Sequence, residues 1–267
     1  MTGWQTRTVG PADAAHTVLL LPGGMCTGRF YDDLLTEPAL QGIRFVVTTL
    51  PGFGGTAPLA DPTLENFAHG AGALAAEHGC DAIVGHSFGG NVALELVAAG
   101  GFAGPVMLIE PAFSRADEYA EIALLDRIAR VPAVGHAAWW VTVKTFGVSA
   151  RSEFPKHRRR ALIAEMKRND PRDCRAIIRH YFAYLDRHGA LVPRLTAAEP
   201  AAIVVFADES RVGLTDAERQ GLGDCPTVEL VDVTESGHCV MIDQPARTAE
   251  LVLDLLSRAR PGSPATR

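Results

Sequence analysis

The apolar run Asp81-Ala82-Ile83-Val84 leads into Gly85-His86-Ser87-Phe88-Gly89, and Asn91-Val92-Ala93-Leu94-Glu95-Leu96-Val97 leads out. The first stretch suits a buried strand and the last has helical spacing. Between them the residues are small. This order predicts a strand, a sharp turn and a helix, with Ser87 at the apex. A turn that tight strains its central residue, so its flanks favour glycine. Gly85 and Gly89 stand there, with Gly90 beside the second. The helix N-terminus then points at the apex and favours negative charge. The unit reads as a nucleophile site, although a glycine-rich turn with an incidental serine has the same letters.

The rest of the chain repeats the rhythm. Residues 4–9 alternate weakly as a first strand. Thr17–Leu21 is a continuous apolar run, the mark of a strand buried on both faces. Residues 43–50 form the next strand, followed by the loop Pro51-Gly52-Phe53-Gly54-Gly55. Residues 62–78 read as a helix, with Asp61 as N-cap and Pro62 at the first position. Strands at 81–84 and 105–109 flank the turn and its helix. Alternation of this kind implies a parallel sheet with right-handed crossovers. Residues 112–199 break the rhythm. They hold no convincing strand but show helical stretches near 116–130, 133–146, 155–168 and 171–188. Strands return at 201–207 and 227–233. A helix over 247–258 closes the chain, and the tail 261–267 is expected to fray.

A serine hydroxyl needs a base. Glu235-Ser236-Gly237-His238-Cys239-Val240-Met241 follows the last strand and offers His238. Together with Leu21-Pro22-Gly23-Gly24, Leu50-Pro51-Gly52-Phe53-Gly54-Gly55-Thr56 and Gly85–Gly89, the segment Ser236-Gly237-His238 resembles the α/β-hydrolase superfamily, in the branch with helical caps. The resemblance covers nearly the whole chain. It implies an α/β-hydrolase fold: a mostly parallel twisted sheet flanked by helices. The core would be residues 1–111 and 200–267. The α-helical cap, residues 112–199, would be inserted after strand six of the family's numbering, over the strand ends where open α/β sheets place ligands. It also implies Ser87 as nucleophile and His238 as base. The oxyanion would be held by the backbone N–H groups of Phe88 and Gly24, with Met25 as the next candidate.

The third member of the triad is open. Many relatives place an aspartate three residues past a glycine after the seventh strand. Aligned on Ala207, this chain has Ser210 there, and a serine cannot stabilise an imidazolium by charge. Glu110, directly after the 105–109 strand, is the leading alternative, with Asp208 or Glu209 behind it, or no acid at all. His86 adjoins the nucleophile, but on a sharp turn its side chain points away from that of Ser87, which suits a structural role. Cys26 and Cys239 flank the site segments and read as small apolar packing. Among the aromatic residues of 112–199 (Trp139, Trp140, Phe146, Tyr181, Phe182, Tyr184), Trp139 and Trp140 are candidates to line an apolar pocket with Met25. The run Arg151, Lys156, Arg158, Arg159, Arg160, Lys167, Arg168 reads as a solvated face or as a seat for an anionic substrate tail.

Composition narrows the function. A net charge of −6 argues against nonspecific nucleic-acid binding. No apolar run is long enough to span a membrane, the polar start is not expected to act as a signal peptide, and five cysteines without paired spacing suit a reducing compartment. We therefore expect a cytoplasmic enzyme with a small-molecule substrate, no cofactor and no metal, and leave a homodimer open. The leading expectation is a serine hydrolase cleaving an ester, thioester or lactone of a small apolar molecule. The alternatives are C–C bond hydrolysis or cofactor-free oxidation on the same triad, or a ligand receptor with slow turnover.

Overall fold

The computed structural model describes residues 3–149, 154–211 and 213–259. Seven strands form one sheet: β1 (Gln5–Val9), β2 (Thr17–Leu21), β3 (Arg44–Thr49), β4 (Ala82–His86), β5 (Val106–Ile109), β6 (Ala202–Ala207) and β7 (Val228–Val233). Their order is β1-β3-β2-β4-β5-β6-β7. β1 runs antiparallel to β3, and every other pairing is parallel. The apolar runs explain the arrangement. Every residue of β2, β4, β5 and β6 is buried, so these strands need cover on both faces. α2 (Leu64–His78) and α3 (Phe88–Ala98) pack together over β2, while α11 (Pro245–Ser257) packs against β4, β5 and β6, with the short helices α1 (Asp32–Leu35) and α10 (Val240–Asp243) beside it. The two edge strands are different. β1 is largely exposed and β7 is only partly buried.

Between β5 and β6 the described residues hold only helices: α4 (Ala120–Ala129), α5 (Pro132–Ser149), α6 (Lys156–Met166), α7 (Pro171–His188) and α8 (Val192–Ala197), after a short 3-10 turn at Arg115–Asp117. The segment follows the fifth strand of this chain, which is the sixth only in the family's numbering. It leans on the core where α7 meets α2 and α8 meets α3. Tyr184 and Arg194 seal that junction by donating to buried Glu95 Oε2 of α3, both at 2.6 Å.

Three expectations change. The helix placed at 62–78 begins at Leu64, because Thr63 is its N-cap and accepts the Asn66 N–H, while Asp61 takes the Asn66 side-chain amide instead. The first helical stretch of 112–199 starts at Ala120 rather than near 116, since Ser114 and Asp117 close a separate capping box around the 3-10 turn. α8 and α9 (Asp216–Gly223) are additional. The tail 261–267 lies outside the described residues, as does Arg151.

Candidate active site

Because β2 and β4–β7 run parallel, their C-terminal ends share one edge of the sheet. Ser87 follows β4 directly with φ 50° and ψ −121°, a conformation that a non-glycine residue holds only under constraint. The constraint is visible in its flanks. A Cβ on Gly85 would come within 2.3 Å of the Gly89 carbonyl oxygen, and one on Gly89 within 2.3 Å of that of Leu21. The Ser87 N–H donates to the Ile109 carbonyl at 2.8 Å, tying the turn to β5. Ser87 is the N-cap residue of α3, yet its hydroxyl makes no capping bond.

Glu110 stands one residue past β5, also at positive φ (54°), with its side chain fully buried. A buried carboxylate needs partners, and Glu110 has three. Oε1 accepts the Ala207 N–H at 2.6 Å. Oε2 lies 3.2 Å from His238 Nδ1 and accepts the Ser210 hydroxyl. The structure thus joins two positions that the sequence set in competition. Ser210, standing where an aspartate was expected, donates to the carboxylate that faces the histidine. Asp208 does not compete. Its Oδ1 accepts the Ser236 N–H at 3.3 Å, supporting the loop before His238. The Glu209 N–H donates to the Ser236 carbonyl, and the residue lines a cavity of about 520 Å³ with Phe154, Lys156, Arg159 and Asp243.

The loop after β2 closes the other side. A Cβ on Gly23 would lie 3.2 Å from Ser87 Cβ, and one on Gly24 would lie 3.6 Å from Phe88 Cβ. Gly24 and Phe88 therefore stand next to each other beside Ser87. Phe88 is the first residue of α3, so its N–H has no partner within the helix and points out of the helix N-terminus. Met25 follows, buried, with φ 60°.

A family model described as "Alpha/beta hydrolase family" matches residues 18–251. The chain belongs to the α/β-hydrolase family. A search of curated proteins finds no match. Among solved structures, this hydrolase is similar to a putative aryl esterase from Burkholderia cenocepacia, with 17% identity and a TM-score of 0.75 over 96% of this chain and 98% of that one. An esterase from Exiguobacterium antarcticum matches at 16% identity and a TM-score of 0.73, over 95% of each chain. So does an AqdC variant solved with its substrate, the Pseudomonas quinolone signal whose ring it cleaves, at 17% identity, a TM-score of 0.73 and 95% of each chain. At these identities the likeness shows the fold alone.

Around this constellation the hydrolase places groups that the sequence marked less clearly. His86 is buried, and burial, with His238 nearby, pushes its pKa well below the ordinary value. A neutral imidazole results, and its Nε2–H donates to the His238 carbonyl at 2.9 Å. His86 thus holds the main chain of the candidate base. The Tyr119 ring meets His238 edge-on at 5.5 Å, and the Arg211 guanidinium lies 5.0 Å from the centre of the Tyr119 ring. Tyr181 packs its ring on Phe88 at 5.3 Å and donates its hydroxyl to Glu118 Oε1 at 2.6 Å. Burial pushes the Glu118 carboxyl up against that hydrogen bond and the field of His238. Only its place in space could single out Glu118.

The two tryptophans part. Trp139 is fully buried, whereas Trp140 is 55% exposed and faces solvent rather than a pocket. Neighbours on a helix point about 100° apart, so one face cannot hold both. The Phe146 side chain lies outside the described residues. The basic run also divides. Arg158 reaches the Arg29 carbonyl at 2.7 Å and Asp33 at 3.0 Å, which makes it a bridge to the core. Lys156, Arg160 and Lys167 are exposed. Cys26 and Cys239 are both buried, and burial pushes the Cys26 thiol strongly up, away from reactivity. Among the described residues no His, Cys, Asp or Glu cluster is arranged to hold a metal ion, and no helix is long and apolar enough to cross a membrane.

Proposed function

We propose that this hydrolase cleaves a carboxylic ester, thioester or lactone of a small apolar molecule through an acyl-enzyme, without a cofactor. The observation that carries this reading is the buried Glu110 carboxylate 3.2 Å from His238 Nδ1, on the sheet edge that also bears the strained Ser87. Glu110 holds the proton on Nδ1, which leaves Nε2 free to act as base. Ser87 Oγ attacks the carbonyl carbon and His238 takes its proton. The oxyanion is held by the N–H of Phe88 and by that of Gly24, with Met25 as the next candidate. His238 then protonates the leaving group and activates water for deacylation. The helices of 112–199 act as a cap whose apolar inner face shapes the pocket. The esterases among the structural neighbours support the reaction class.

A fluorophosphonate probe tests the nucleophile. Intact-mass spectrometry and peptide mapping are expected to find one adduct, on Ser87, and none on Ser87→Ala. Labelling elsewhere would sink the assignment. A second reading, ring or C–C bond cleavage on the same residues, draws on the likeness to the AqdC variant. Rapid steady-state hydrolysis of activated esters favours the first reading. Labelling of Ser87 without ester turnover favours the second, or a slow receptor.

A further inference from the structure

Asn169 lies between α6 and α7, 1% exposed, and spends its whole amide on backbone groups. Its Oδ1 accepts the Gly54 N–H at 2.9 Å. Its Nδ2 donates to the carbonyls of Met25 and Met166, both at 2.8 Å. One acceptor and two donors in a fixed plane are what a primary amide offers and a carboxylate lacks. Two of the three partners are far away in sequence, in the loops after β2 and β3.

The Met25 carbonyl is no ordinary partner. The Cys26 N–H donates to the Gly23 carbonyl at 3.1 Å, so Gly23–Cys26 is a β-turn with Gly24 and Met25 at its corners. Met25 has φ 60° at the third position. With Gly24 outside the positive-φ region, that sign at the third position alone belongs to a turn of type II, where glycine or asparagine is usual. A methionine there needs to be held, since type I relieves it by turning over the peptide between Gly24 and Met25. The turn abuts Ser87 and Phe88, so this peptide and its neighbour carry the N–H groups offered to the oxyanion. The same stretch is held again further on, where Thr27 donates to Glu165 Oε2 at 3.2 Å and Arg158 to the Arg29 carbonyl.

We propose that Asn169 is a positioning residue for the oxyanion side of the site. It locks the Gly23–Cys26 turn with Met25 at positive φ and so aims the N–H groups of Gly24 and Met25. Because Asn169 belongs to the helical segment, the oxyanion site is complete only when that segment is docked. The inference rests on the acyl-transfer reading above.

Asn169→Asp tests it. The substitution keeps the shape and the acceptor for Gly54, but sets oxygen against the Met25 and Met166 carbonyls. On p-nitrophenyl acetate, kcat is expected to fall about 100-fold, on the scale of losing one oxyanion donor, with KM within about twofold. Affinity for phenylboronic acid, which forms a tetrahedral adduct, should fall in step with kcat. Adding Met25→Gly to Asn169→Asp is expected to recover about tenfold in kcat, since glycine takes positive φ without a clamp. A purely structural residue would lower thermal stability without the parallel loss in boronate affinity or the rescue. Wild-type kcat and boronate affinity in Asn169→Asp overturn the proposal. If Asn169→Asp does not fold, Asn169→Ser carries the same comparison; failure of both to fold makes Asn169 structural and also overturns it. If fluorophosphonate does not label Ser87 in the wild-type protein, the acyl-transfer reading falls first. Labelled wild type beside unaffected variants removes only the role of Asn169.

Discussion

The strand-end loops and the helical segment differ in where they keep strain. Five non-glycine residues have positive φ among the described residues, and four of them (Met25, Ser87, Glu110 and Glu235) sit in the loops after β2, β4, β5 and β7. The described residues of the helical segment have none before Glu199, at its junction with β6. Instead it exposes apolar side chains: Leu124, Val131, Val134, Trp140 and Val141. Strain persists only where the surroundings over-determine it, and the buried parallel strands supply that rigidity. Geometry is fixed at the sheet edge, and the helical segment grips that edge at a few points such as Asn169.

The acid tests the sheet-edge half most severely. Glu110→Gln keeps an acceptor for the Ala207 N–H but turns an amide towards His238. Turnover is expected to fall about 10⁴-fold, as when an orienting acid is lost in a serine triad. Asp208→Asn and Glu209→Gln should cost far less. Parallel kcat measurements on the three folded variants decide the matter. A near-wild-type Glu110→Gln beside an inactive Asp208→Asn would move the acid to the loop after β6.

Next in size is the contrast within α5. Trp139→Ala should cost about 3–5 kcal/mol of stability, as buried aromatics do, whereas Trp140→Ala should stay within about 0.5 kcal/mol. Urea unfolding read by circular dichroism measures both. Equal costs would show that the helix face had been read wrongly.

The smallest effect lies where the two regions meet. Burial, and then the nearby Glu218, push Asp117 up to about 6 against the N–H groups of Phe113 and Ser114. The folded state then holds this proton more tightly than the unfolded chain. Its contribution is present below about pH 4 and is lost as pH rises through about 6. Asp117→Asn, which keeps an acceptor, should flatten the decline in urea midpoint across that window. An unchanged slope would remove Asp117 as its source.

Sequence legibility follows the same division. The inner strands β2, β4, β5 and β6 were readable because burial on both faces demands continuous apolar runs, and Gly85 and Gly89 marked the turn through sterics local to it. That His238 comes to the sheet edge was readable from its place after the last strand. The bond from Ser210 to Glu110 was not, because it joins residues 100 positions apart and depends on β5 lying next to β6. The facing of Trp139 and Trp140 depends on helix packing, and α5 is too apolar all round to declare a side. α9 is a different kind of miss. Thr215 and Glu218 form a capping box three residues apart, a local signal that was present in the sequence.

The two edges of the sheet carry a consequence for how copies of the protein meet in solution. An open sheet ends in rows of unpaired backbone groups that invite a further strand. β1 sets Arg7 in the middle of one such row, paired with Asp32. β7 sets Glu229 and Asp232 along the other, paired with Arg258 and Arg219. A strand from a second molecule would have to strip water from these charges to add itself. The sheet is therefore terminated at both ends by its own side chains, and its width is guarded against growth.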